Sequence, residues 1–534
     1  MTSIEDSIRI SLTNVATHGD TDIFPFPFEN HIFFDRKPDA TNVLLKIHQD
    51  LKLALSQRPP ETVLSLTQVG YTGFRWATFI EPFWNAYYLS LVVSLAEKIE
   101  AERLPEASKT VFSYRFKWQE ASGKLFSDNS WSDFRNRCLE LSGQHPIIVQ
   151  TDIADFYPRI YHHRIENALD RLPTPGDTPK RIMSLLGAFS KNVSYGLPVG
   201  GPASRILAEL ALNGVDTALE RKGIRFCRYA DDYALFCTDK ADAYRSLVFL
   251  AEKLFNEGLV LQKKKTRILE ADEFREISGL LDPADNQKTE STEEQKLLNI
   301  SIRFDPYSPT AVEDYEHLKG AVNQIDIIGI LGREIAKTTI DPVVTRQAIQ
   351  AIQALERSRQ EGAILILLAP ENLTTLAPVF VHVMRVTRKL YSNLSAPTKT
   401  RIDNTLCDLY LKNSPLLSVE VNLAYYIQAL SEGWTPAKEK VLAEISDRSS
   451  NPLIRRMIII CMSNWRRHDW VSDIKFKYDR LSTMERRAFI LASYSLGDEG
   501  SHWRTFIKKT WSDAEVLVRD WAGGRAQTVQ GFPL

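Results

Sequence analysis

The chain has no excess of basic residues: 66 Lys and Arg stand against 67 Asp and Glu over 534 residues, a formal net charge of −1. That excludes the uniformly positive surface with which proteins commonly hold long nucleic acid. Basic groups would have to gather in one cleft, or the nucleic acid held would be short. Cysteine is scarce. Cys138, Cys227, Cys237, Cys407 and Cys461 show no C-x-x-C spacing, which argues against a zinc site and for reduced thiols in a cytoplasmic protein. Long apolar runs are missing. The longest, near Tyr87 to Ala96 and Ala363 to Pro370, are too short to span a bilayer, so no membrane association is expected. The opening M-T-S-I-E-D-S-I-R-I lacks a basic stretch followed by an apolar core, so no signal peptide is expected. What remains is an ordinary globular composition, 44% hydrophobic and 25% charged, at a length suited to two or three domains.

The most informative stretch is Arg225 to Cys237, R-F-C-R-Y-A-D-D-Y-A-L-F-C. Two apolar, β-prone runs flank adjacent carboxylates, which predicts a β-hairpin with Asp231 and Asp232 at its turn. Two acids there have no packing role. They repel each other and call for hydration or a cation, and Mg²⁺ suits carboxylate oxygens while leaving positions open for phosphate. A third acid, Asp152, ends the apolar run Ile147-Ile-Val149. Asp152, Asp231 and Asp232 together could hold two ions that activate an attacking hydroxyl and stabilise a leaving pyrophosphate. Between the acids lies a glycine-rich turn, Gly196-Leu-Pro198 with Gly200 and Gly201, whose glycines allow close backbone approach to a nucleotide or template. Pro202-Ala203 then opens a helix.

Taken in order, Asp152-Ile-Ala-Asp-Phe-Tyr157, Tyr195-Gly-Leu-Pro-Val-Gly-Gly-Pro-Ala-Ser204, Tyr229-Ala-Asp-Asp232 and Gly258 to Thr266 resemble motifs A, B, C and D of reverse transcriptases. The resemblance implies an α+β right-hand, fingers-palm polymerase domain that uses Mg²⁺, or Mn²⁺ in its place, to polymerise dNTPs. It implies metal ligation by Asp152, Asp231, Asp232 and the backbone carbonyl of Ile153. It makes Tyr157 the bulky gate against a ribose 2′-OH, with an ordinary packed aromatic as the alternative. Lys265 would be a cation near the leaving pyrophosphate and its general acid; a solvated basic strand edge is the alternative for Lys263 to Arg267. Gly196, Pro198 and Gly200 would contact the nucleotide. Val111 to Trp118 alternates as a strand in the fingers, where a basic residue meets the triphosphate. Arg115 is the candidate, with a solvated strand arginine as the alternative.

The rest of the chain divides by character. Residues 1–60 form an N-terminal extension containing Ile23-Phe-Pro-Phe-Pro-Phe28, which forbids a helix and predicts an extended segment laid on a core. Phe33 to Ser56 reads as one helix, and Pro82 opens another that runs to about Arg103. His162 and His163 point about 100° apart on a helix, which suits one metal poorly, and they read as residues of the surface or of the layer behind the site. Asp239 is expected to cap a helix that Gly258 ends. Phe274 to Leu280 suggests one more strand, at the position of the primer grip. Residues 282–296 are polar and acidic and read as a linker between a polymerase domain, 1–281, and a helical domain, 297–534. In the latter, helices start at Asp341-Pro342, Thr435-Pro436 and Asn451-Pro452, and stacked hairpins of a HEAT-like repeat are expected although no fixed period recurs. Its tryptophans, including those of Asn464-Trp-Arg-Arg-His-Asp-Trp470, read as core residues in preference to nucleic-acid contacts.

Motif B carries Val199 where retroviral and intron enzymes usually carry Gln, and no RNase H acid set, integrase, zinc-ligand endonuclease or maturase-like basic tail is apparent. The Phe-Pro segment, Ser113-Tyr-Arg115, motif B and the helical extension resemble the Abi-type and unknown-group reverse transcriptases of bacterial anti-phage defence. That resemblance implies abortive infection through non-templated or protein-primed DNA synthesis. Its implied partners are a single-stranded DNA product, covalently attached in some members, a non-coding RNA in others, and further copies of the chain. The alternatives are a templated RNA-directed DNA polymerase of a mobile element and a non-catalytic nucleic-acid-binding scaffold.

Overall fold

The sheet that carries the acids follows from its apolar strands. In the computed structural model, which describes residues 3–128, 130–173, 176–191, 193–277, 293–294, 297, 325–526 and 531–534, Ile147, Ile148 and Val149 are buried in strand β5. Before it come α1 (Ile4–His18), α2 (Phe28–Asp35), α3 (Lys37–Gln49), α4 (Leu51–Gln57), β1 (Thr62–Val69), β2 (Gly73–Ile80), α5 (Pro82–Glu102), β3 (Phe116–Gln119), β4 (Lys124–Phe126) and α6 (Ser130–Ser142). β5 spans Ile147–Asp152 and is followed by α7 (Phe156–Arg159), α8 (His162–Asp170), α9 (Thr178–Phe189) and α10 (Pro202–Arg221). Then come β6 (Arg225–Tyr229), β7 (Asp232–Cys237), α11 (Lys240–Asn256), β8 (Arg267–Glu270) and α12 (Ala271–Ile277).

The four-stranded sheet has the order β6-β7-β5-β8, antiparallel throughout. Its two central strands bring Asp152 directly opposite Asp232. β1 and β2 form a separate hairpin in full register from Thr62↔Ile80 to Val69↔Gly73. α5 is buried on nearly every side, as a helix apolar all round must be, and α1, α9 and α10 pack on it.

Several expectations meet a different structure. The run from Phe33 to Ser56 is three helices, interrupted at Arg36 and Asp50, whose backbones leave the helical region. The run from Val111 to Trp118 is not one strand: Tyr114 sits at φ +48, in the left-handed region, and only Phe116–Gln119 is regular. The residues from Ala271 to Ile277 are helical, not extended. Asp272 and Glu273 suit the positive end of that helix, and Phe274 is buried with its ring 6.4 Å from that of Phe236. Residues 278–280 and most of the expected linker lie outside the described residues.

The C-terminal region is mostly helical. Helices Phe380–Tyr391, Glu420–Leu430, Pro452–Asn464, Thr483–Ala492 and Asp513–Ala526 pack each on the next and make an inner row. Helices Ala396–Leu411 and Pro436–Arg448 pack on each other beside it. Asp341, Thr435 and Asn451 cap their helices through their side chains, as their sequence positions predict. Trp511 and Trp521 are buried, whereas Trp434 is 46% exposed with the Arg467 guanidinium 5.1 Å from its ring centre. One apolar core runs through the sheet region and the helical region alike. Buried ion pairs join the two: Arg456 to Glu29 at 2.5 Å, and Arg487 to Glu81.

Candidate active site

The β6–β7 turn has two residues, Ala230 and Asp231, and Ala230 takes φ +53. A residue with a Cβ pays for that conformation unless its surroundings hold it. The holder is Arg228, fully buried, which donates to the Ala230 carbonyl at 2.8 Å. Its other nitrogens grip Asp216 at 2.6 and 2.9 Å and Glu209 at 2.8 Å. Glu209 also accepts from Arg103 at 2.6 Å and Ser113 at 2.5 Å. Burial alone would raise the Glu209 carboxyl, but Arg228 and Arg103 outweigh it and hold it below the ordinary carboxylate range. Asp216, with Arg228 and only a 3.3 Å bond from the Tyr233 hydroxyl besides, stays above that range because burial prevails.

The other acid is placed by backbone bonds. The Ile153 amide donates to the Asp231 carbonyl at 3.1 Å, and the Gln262 amide to the Asp152 carbonyl at 2.7 Å. The second bond anchors the basic loop of Lys263 to Lys265, and Lys265 bonds the Asp152 carboxylate. Burial would lower Lys265, but the Asp152 bond and the neighbouring charges of Asp152, Asp232 and Asp231 hold it above its ordinary value.

These groups border a cleft of about 980 Å³. Asp152, Ile153, Tyr157, Gly200, Asp231 and Lys265 line it; Asp232 stands beside it, paired across the strands with Asp152. Burial, then Asp152, raises the Asp231 carboxyl, and burial, Asp231 and Asp152 push Asp232 up to about 7. The site is short of positive charge, which is the condition a divalent cation relieves. It is not a finished cage: among the described residues no three His, Cys, Asp or Glu side chains form a ready ligand set. Lys265 already engages Asp152, so an ion would compete with it. The donor chemistry therefore fits Mg²⁺ or Mn²⁺, and an ion on Asp152 would take the place of Lys265.

Three further expectations are corrected. Arg115 does not reach the cleft. It is 4% exposed, ion-paired with Glu100 at 2.7 Å and bonded to the carbonyls of Leu104 and Val111 at 2.7 and 3.0 Å. The left-handed Tyr114 breaks the strand alternation and turns Arg115 inward. Gly196 and Pro198 do not line the cleft: a Cβ on Gly196, at φ +93, would stand 3.4 Å from the Pro158 carbonyl oxygen, and Pro198 is buried. Gly200, at φ +120, makes room for the chain itself, since a Cβ there would lie 3.0 Å from Thr21 and 3.3 Å from Ile23. Of the two histidines, His163 is at the surface and His162 lies behind the site: it is buried, and its Nε2 donates to the Gly196 carbonyl at 2.8 Å, so it braces the glycine turn.

The basic residue that does face the acids is Arg75 on β2, exposed at the cleft, where its charge lowers both Asp231 and Asp232. Its local signal was an arginine between aromatics in Gly73-Phe-Arg-Trp76. Arg205 on α10 was also missed. It lies 5.1 Å from the Tyr114 ring centre and is ion-paired with Asp22 at 2.8 Å, on the cleft wall near Tyr157.

Residues 96–296 match the family model described as reverse transcriptase (RNA-dependent DNA polymerase). Over 140 residues the chain is 29% identical to the retron Ec86 reverse transcriptase of Escherichia coli, covering 25% of this chain and 42% of that protein. The chain thus spans less than half the length of that curated relative. Among solved structures, apo telomerase from Candida tropicalis aligns over 70% of this chain and 71% of its own at 10% identity and a TM-score of 0.29. Telomerase from Candida albicans with a fragment of telomeric RNA aligns over 76% and 68% at 11% identity and a TM-score of 0.28. At those scores too little shape is shared for anything to be read across.

Proposed function

We propose, from the reverse transcriptase domain that the middle of this chain carries, that the protein polymerises dNTPs by nucleotidyl transfer in bacterial defence against phage. The observation that carries the reading is the meeting of Asp152 and Asp231 on one cleft with Arg75 and Lys265. A bound Mg²⁺ or Mn²⁺ would supply positive charge at the attacking hydroxyl and the leaving pyrophosphate, held by Asp152, Asp231 and the Ile153 carbonyl with Asp232 adjacent. Arg75 binds the triphosphate as it enters. Lys265 gives its Nζ proton to the leaving pyrophosphate. Tyr157, half-buried with its backbone carbonyl held by the Leu197 amide at 2.9 Å, stands where a ribose 2′-OH would meet it and selects deoxynucleotides.

Synthesis without a conventional template, primed on the protein or on a partner RNA, is the finer reading. Its support is the N-terminal segment: Thr21 and Ile23 fill the space over Gly200, beside Val199. The family model's description and the retron relative's name favour the second reading, templated synthesis on RNA. We further infer an abortive-infection role, assembly with other copies of the chain, and a division into a polymerase region, 1–281, and a HEAT-like helical region, 297–534. Among the described residues no helix is long and apolar enough to cross a membrane.

The experiment is incorporation of labelled dNTPs by purified protein with Mg²⁺, with and without added primer and template. Asp231→Ala with Asp232→Ala should abolish it. Label that stays with the protein after denaturation and is freed by protease indicates protein priming. Incorporation only with added primer and template establishes the second reading. Full activity of the double variant would end both.

A further inference from the structure

In a chain whose charges nearly cancel, cations without acids beside them are informative. Two arginines of this kind lie together on the helical region, with a histidine beside them. Arg346, on helix Pro342–Ala351, donates to the Pro342 carbonyl of its own helix at 2.9 Å. Arg385 and His382 share helix Phe380–Tyr391. Arg385 donates to the Tyr425 hydroxyl and lies 4.5 Å from its ring centre. Both arginines are exposed, and among the described residues neither is ion-paired with a carboxylate. His382 is pushed down to about 4 by burial and then by Arg385 and Arg346, so its ring is uncharged at neutral pH and the two arginines supply the patch's charge.

The patch connects to the cleft. Tyr425 sits on helix Glu420–Leu430, which packs on β1, and its hydroxyl feels the charge of Asp22. Asp22 and its partner Arg205 line the cleft that holds Asp152 and Asp231. The same cleft exposes Phe74 and Trp76, at 52% and 57%, as flat faces on β2. At the hairpin tip the Tyr71 hydroxyl donates to the Thr375 carbonyl at 2.7 Å and accepts from the Ile340 amide at 3.0 Å, which ties the hairpin to the helical region. Unpaired aromatics followed by cations without acid partners are what a single strand uses: bases stack and phosphates are neutralised. A small number of such groups also agrees with the absence of any overall basic excess.

We propose that the phosphodiester backbone of a single-stranded polynucleotide runs from the cleft onto the helical region across Arg385 and Arg346, its bases stacking on Phe74 and Trp76. The cleft end of this path rests on the polymerase reading. The test uses the full chain with Asp231→Ala and Asp232→Ala, so that nothing is synthesised, and fluorescent oligo(dT) and oligo(U). Adding Arg346→Glu and Arg385→Glu should weaken binding about tenfold and make log affinity less steep in log salt by about 1.4, at about 0.7 for each phosphate no longer neutralised by an arginine. A control pair of equal charge change, Arg171→Glu and Arg221→Glu at the ends of α8 and α10, should leave both quantities unchanged. If the glutamates unfold the protein, Arg346→Gln with Arg385→Gln makes the same comparison. Loss with oligo(dT) identifies the DNA strand and loss with oligo(U) the RNA strand. Unchanged binding in the patch variant, or equal loss in the control pair, would overturn the proposal. Incorporation by protein with Asp231 and Asp232 intact is scored separately. If it fails while patch-dependent binding persists, the polymerase reading falls and the strand-binding surface stands.

Discussion

Replacing Arg228 by Met removes one guanidinium that serves three acceptors. Glu209 keeps Arg103 and Ser113, so its loss is partial. Among the described residues Asp216 keeps only the 3.3 Å bond from Tyr233 and becomes a buried carboxylate with no paired cation, Arg103 acting on it through charge alone. Breaking a buried pair from one side costs about 3–5 kcal/mol, and most of that falls on Asp216. Burial already holds Asp216 above the ordinary carboxylate range, and it would rise further without Arg228. The folded variant then binds a proton that the unfolded chain releases, so its stability falls as pH rises from the ordinary carboxylate range to the raised value. The deficit in melting temperature should therefore be larger at about pH 8 than at about pH 5. Adding Asp216→Asn should restore much of the melting temperature, because the neutral amide needs no cation. It should not restore dNTP incorporation, because the Ala230 carbonyl still lacks its donor and the strained turn that presents Asp231 is left to relax. Thermal melts at both pH values, with incorporation measured on the same preparations, separate the two effects. Recovery of activity in step with stability in the double variant would refute the positioning role, and a wild-type melting temperature for Arg228→Met would refute the electrostatic reasoning as a whole.

Arg75→Ala should raise the KM for dNTPs while leaving the melting temperature near wild type, since Arg75 is exposed at the cleft; Arg115→Ala should do the reverse, because it takes the guanidinium from the carbonyls of Val111 and Leu104 and leaves Glu100 with only Arg103 and the Phe116 amide among the described residues. Equal effects of the two on KM would show that the cleft is wrongly drawn. Lys265→Met should lower the maximal incorporation rate yet reduce the Mg²⁺ concentration needed for half of it, because Lys265 no longer competes for Asp152; a higher Mg²⁺ requirement would contradict that competition. Asp232 is pushed up to about 7 by burial, Asp231 and Asp152, so the ion-free fold loses stability as pH rises from the ordinary range toward about 7, and Mg²⁺ relieves the loss. The rise in melting temperature on adding Mg²⁺ should be larger at about pH 8 than at about pH 6, and an equal rise at both would exclude Asp232 from the charged cluster.

Short-range signals were sufficient wherever the chemistry is local. Two β-prone runs around Asp231 and Asp232 make a hairpin whatever surrounds them, an apolar run ending in Asp152 makes a central strand, and Pro after Asp, Thr or Asn starts a helix because it suits the first turn. Where two segments far apart must agree, the amino-acid order was silent. One left-handed residue, Tyr114, reversed the direction of Arg115 and left the cleft to Arg75, about forty positions earlier on another hairpin. Gly200 is small for the sake of Thr21 and Ile23, and His162 is buried for the sake of Gly196, and neither reason is visible along the chain. Arg228 shows the division most clearly. Its place beside the acids is plain in the sequence, but Glu209 and Asp216 reach it only because α10 packs under the hairpin, and a buried charge is defined by the partners that tertiary structure delivers.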